Sequence, residues 1–119
     1  MSETVNLRLP FIEASQSQKH VTHNDALLII DAAVHLSVLD STRASPPASP
    51  AEGDRHVVAV GATGGWLGHD KAVATYSDGG WVFLDPRAGW RAWSVDDDAL
   101  LVFDGSVWRV FEVGSAGPP

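Results

Sequence analysis

At 119 residues the chain has room for one domain and one modest core, and with 45% hydrophobic and 19% charged residues it has a globular rather than a disordered balance. Fifteen acidic residues against eight basic give a formal charge of −7, which repels phosphate backbones and anionic lipid and argues against nucleic-acid binding and a basic membrane-surface role. There is no cysteine, so disulfides, thiol nucleophiles and thiolate metal sites are excluded.

The first segment, residues 1–10, has no apolar core of a signal peptide. It alternates Val5, Leu7 and Leu9 with polar residues and stops at Pro10, which predicts an extended arm. An isolated strand has no partners for its backbone, so the arm is expected to reach outward and dock on a neighbour through those three side chains.

Residues 15–40 hold the one long helix and a short strand. The helix fits between Ser17 and Ala33, with Thr22 and Asp25 resembling a capping box. Ala26, Leu27, Ile30, Ala33 and Val34 recur at helical spacing and predict a core-facing side. Leu28 and Ile29 fall off that side, so the helix is apolar around more than half its circumference and needs a second cover. Leu28 and Ile29 are therefore the candidate contact with another subunit, and a homo-oligomer is expected. The longest apolar run, Ala26 to Ile30, is far too short to span a bilayer.

Residues 41–54 carry Pro46, Pro47 and Pro50 and predict a stiff surface connector. Residues 55–113 read as short strands broken by turns at Gly61–Gly65, Asp78–Gly80, Asp85–Gly89, Asp96–Asp98 and Asp104–Ser106. With no helix between them, these strands predict an antiparallel meander, as a sheet or partial barrel. A small polar tail, residues 114–119, is expected to fray. The whole is a single α+β domain.

Catalytic and metal patterns are weak. His20 and His23 stand three apart without the glutamate of a zinc helix. There is no Gly-x-Ser-x-Gly. Asp96-Asp97-Asp98 lacks calcium-loop spacing, and Gly61–Gly65 lacks the lysine of a phosphate loop. No catalytic residue, metal or cofactor is assigned. The aromatic usage is the informative feature, because all five tryptophans fall within the predicted meander. Trp90 and Trp93, three apart on a strand, must face opposite sides. Trp66, Trp90 and Trp93 are the candidate glycan-stacking or interface aromatics, with Trp108 expected in the core.

The runs Leu9–Ile12 and Gln16–Leu27, the connector Pro46–Arg55, the turn Gly61–Trp66, Gly80–Phe83, Pro86 and Gly89-Trp90 resemble an uncharacterised domain family. That family occurs in structural proteins of phages and prophages and in the gene transfer agents of alphaproteobacteria. The resemblance spans about Leu7 to Trp108 and contains no catalytic signature. It implies a virion structural protein made in the bacterial cytoplasm. Such a protein is the base of a head spike or tail fibre and joins a capsid or tail protein to a fibre that contacts the host. Ending at Pro119, the chain would be the base module without the fibre. A closed ring is expected, fivefold ahead of threefold. The other readings are a carbohydrate-binding module for host capsule or cell-wall glycan, and a small glycan hydrolase, which would need two carboxylates across a cleft.

Overall fold

The computed structural model describes residues 3–11 and 19–111, with helix side chains from His23 onward. The fold is α+β. Helix α1 (Lys19–Ala33) is followed by β1 (Ser37–Val38), β2 (Arg55–Val57), a 3-10 turn (Gly64–Trp66), β3 (Val73–Ser77), β4 (Gly80–Leu84), β5 (Arg91–Ser94), β6 (Ala99–Phe103) and β7 (Trp108–Val110). Thr22 lies inside α1 and is not its cap. The expected tail 114–119 lies outside the described residues.

The strands divide into two sheets. One is three-stranded, β2-β3-β4, wholly antiparallel. The other runs β1-β5-β6-β7, with β1 parallel to β5 and the rest antiparallel. A single meander would continue β4 into β5. Instead β5 takes β1 on one side and β6 on the other, so its two edges are filled before β4 can pair. Pro86, which has no N–H to donate, interrupts the β4–β5 connection. The sheets are joined where Leu39 N–H donates to the Arg55 carbonyl and Val57 N–H to the Asp40 carbonyl. The strand order thus runs on from β1 to β2 around a shared core.

Strand alternation explains that core. Val57, Val73 and Leu84 face one way from the three-stranded sheet and meet Val38 and Ala92 of the other sheet, with Ala32 of α1 and Leu36. Trp90 and Trp108 pack against this cluster. The opposite face of the three-stranded sheet carries Ala74 and Phe83, and with Val58, Ala62, Trp66 and Trp81 it forms a second small core under the 58–71 loop. The β3–β4 hairpin closes through Asp78 and Gly79, at φ 54° and 80°. Two successive left-handed residues are what a tight two-residue hairpin demands.

Candidate functional site

The N-terminal segment is a correction to the sequence reading. It is not an outward arm. Glu3 bridges Pro10, Thr4 N–H donates to the Leu9 carbonyl, and Leu9 N–H donates to the Thr4 hydroxyl, so the segment closes on itself as a loop. That loop is fastened to its own helix by Asp31. The Asp31 carboxylate accepts the Asn6 N–H at 2.9 Å, the Leu7 N–H at 2.5 Å and the Asn6 side-chain amide at 2.9 Å. Arg55 completes the staple from β2, donating to the Ala32 carbonyl at the helix end and to Asn6 Oδ1. The main chain has found these partners within one chain, so Val5, Leu7 and Leu9 are not free to add a strand to a neighbour. Val5 is exposed, and Leu7 and Leu9 are half-buried.

This staple also decides which side of α1 faces in. Asp31 and Ala32 are buried and Leu27 and Leu28 half-buried. Ala26 is exposed, and Ile29, Ile30 and Val34 are 46%, 43% and 42% exposed. Of the side expected in the core, Ala26, Ile30 and Val34 point outward, while Leu27 and Ala33 are half-buried and Ala33 packs on the main core. Of the two expected contact residues, Ile29 is outward and Leu28 is turned inward. An inward carboxylate must be fully hydrogen-bonded, and Asp31 is, by four donors from the N-terminal loop.

Between the loop, α1 and β3–β4 lies a cleft of about 320 Å³, walled by Val5, Leu28, Ile29, Tyr76 and Val82, with Asp25, Asp31 and Glu52 at its edges. Burial pushes the Asp31 carboxyl up, but hydrogen bonds from the Thr4 side chain, the Asn6 and Leu7 N–H groups and the Asn6 amide outweigh it and hold it below the usual carboxylate range. Glu52 is occupied by the Asp78 N–H. A glycosidase acid needs the opposite perturbation, a carboxyl held protonated near neutral pH. Asp31 is held in the opposite sense, as an ionised acceptor.

The tryptophans separate into three environments. Trp66 is fully buried, with its ring edge-on to Trp81 at 5.2 Å and 5.4 Å from the buried His56. It is a core residue, which removes it from the surface aromatics: the Gly61–Trp66 turn folds inward, with Gly61 and Ala62 N–H groups held by Asp70. Trp90 is half-buried against the main core. Trp108 is half-buried, not enclosed, and its indole N–H donates to the Lys71 carbonyl at 2.9 Å. Trp93 is 42% exposed on the outer face of the four-stranded sheet.

The Asp96–Asp98 turn uses Asp97 to accept from the Ser41 and Ser94 hydroxyls. Among the described residues no three His, Asp or Glu side chains gather as a metal site. The side chain of His20 lies outside the described residues. No helix among the described residues is long and apolar enough to cross a membrane.

A second apolar surface lies between the sheets on the β6–β7 side. It is a groove of about 540 Å³ lined in part by Val58, Val60, Leu101, Val107 and Val110. Sequence reasoning missed it, because its walls come from loops and strands distant in the chain. The signal available was the cluster of valines at strand ends.

A family model described as a protein of unknown function, DUF2793, matches residues 23–109. This covers well over half of the chain, which therefore belongs to that family. No curated protein matches it.

Proposed function

We propose that this DUF2793-family chain is a structural assembly module of a phage-like particle, which builds a closed ring and seats a host-binding fibre on a capsid vertex or tail. It works by binding and not by turnover. The carrying observation is the outward row of Ala26, Ile29 and Ile30 on α1, continued by Val34 just past its end. Covering the three large side chains would contribute roughly 1 kcal/mol apiece. The particle setting is supported by the resemblance of the Leu9–Ile12, Gln16–Leu27, Pro46–Arg55 and Gly61–Trp66 runs to the phage-associated family.

A ring needs two different surfaces on each chain, one for each neighbour. The helix row supplies a ridge, and the groove at Val60, Val107 and Val110 supplies an apolar acceptor on another part of the fold. Ridge into groove, repeated head to tail, closes into a fivefold ring ahead of a threefold one. The exposed indole of Trp93 favours a second role on the same chain, contact with saccharide.

Complementary variants test the ring. Ile30→Glu removes the ridge and Val110→Glu removes the groove. Each alone should be monomeric, and an equimolar mixture should give a capped heterodimer. If both variants assemble as the wild type does, the interface is wrong. Mass spectrometry of purified particles tests the setting. Finding the chain there in stoichiometric amounts supports it, and its absence sinks it.

A further inference from the structure

Resting on the saccharide contact read at Trp93, we propose that the groove beside this residue binds an acidic saccharide, a sugar ring bearing a carboxylate. Strand register builds the site. Across the outer face of the four-stranded sheet, Ser37, Trp93, Leu100 and Phe111 form one row, set by the Ser37–Trp93 and Trp93–Leu100 pairs and the Phe111 N–H to Leu100 carbonyl bond. Arg91, Val102 and Arg109 form the next row. The turn after α1 raises one wall, so that Ala33, His35, Leu36, Arg91, Trp93 and Leu100 enclose a groove of about 390 Å³.

Four features point to the ligand class. The chain carries 15 acidic residues, yet none lines this groove. The Arg91 side chain is exposed and forms no ion pair or hydrogen bond among the described residues, whereas that of Arg109 is held by Asp104. An unpaired guanidinium in an acidic protein is a fork for an external carboxylate, which it grips through two parallel hydrogen bonds. Trp93 offers the flat apolar surface on which the axial C–H face of a sugar ring packs. His35 sits at φ 52°, the left-handed position just beyond a helix end that glycine fills without strain. A histidine there brings an imidazole to the groove, as a hydrogen-bond partner for sugar hydroxyls.

The test titrates the full chain with trigalacturonate and, as matched control, its fully methyl-esterified form, followed by tryptophan fluorescence and by amide NMR. The acid should bind about tenfold tighter than the ester, the worth of one charge-assisted pair. Arg91→Gln should abolish that difference, and Trp93→Ala should abolish binding of both, with unchanged circular dichroism. Equal affinity for acid and ester overturns the proposal, as does the absence of saturable shifts at Trp93. A drop in native mass of Trp93→Ala without saccharide binding would assign this face to a subunit contact and overturn it equally.

Discussion

Replacing Asp31 by alanine removes one acceptor from four donors. The Asn6 N–H and side-chain amide lie on an exposed residue and turn to water at little cost. Thr4 is buried and Leu7 half-buried, and losing the acceptor there costs about 1–3 kcal/mol for the pair. Arg55, half-covered under the helix end, also loses the carboxylate that favours its charge. The sum is about 3 kcal/mol, at the lower edge of the range for breaking a buried ionic network. For a domain of this size that lowers the melting temperature by roughly 10–15 °C. Urea denaturation followed by tryptophan fluorescence measures the loss, and hydrogen exchange at Thr4 and Leu9 reports whether the loop has opened. A loss below about 1 kcal/mol, with both amides as protected as in the wild type, would refute the staple. Acid offers an independent check. The folded-state Asp31 carboxyl lies below its ordinary 3.8, so its stabilisation is complete above that value and is lost as pH falls through the folded value. Asp31→Asn should therefore lose less stability than the wild type on acidification below pH 4.

Three further outcomes follow from the same geometry. Gly53 sits at φ 88°, and a Cβ there would stand 2.8 Å from Val5 Cγ1, so Gly53→Ala should cost about 1–3 kcal/mol and loosen the N-terminal loop, read by denaturation and exchange. Trp108→Phe keeps most of the packing but loses the bond to the Lys71 carbonyl, at a cost of about 1 kcal/mol by urea denaturation. The Asp104 carboxyl is held at about 2 by the Val107 N–H, the Arg109 side chain and the Ser106 N–H, so Arg109→Gln should move it up only part of the way in a carboxyl NMR titration, because the two N–H donors remain.

The strands were legible because turn chemistry is local. Ala99–Phe103 matches its expected limits, and the Asp78-Gly79 turn sits where its two left-handed residues are cheap. The division into two sheets was not legible. It depends on Ser37–Val38 entering beside Arg91–Ser94, a contact across more than fifty residues that no turn announces. The helix was placed correctly, but of its expected core side only Leu27 and Ala33 face in. Its apolar residues encircle it, so periodicity gives no direction, and the deciding residue is Asp31, whose donors lie on a loop 25 positions earlier. A carboxylate between Ile30 and Ala32 was the visible hint that something must satisfy it. Trp66 was misread for a similar reason. Gly64 and Gly65 suggest a mobile turn, but Asp70 pins Gly61 and Ala62 and carries the indole inward.

The outward helix row is the premise of the assembly reading, and the native mass of the full chain tests it most directly. By light scattering and native mass spectrometry at micromolar concentration, the wild type should have the mass of five chains of 12.7 kDa, with three chains the next expectation. The Ile29→Glu/Ile30→Glu variant should fall to a single chain with unchanged circular dichroism. A wild-type mass of 12.7 kDa, or a variant that assembles as the wild type does, would contradict the account.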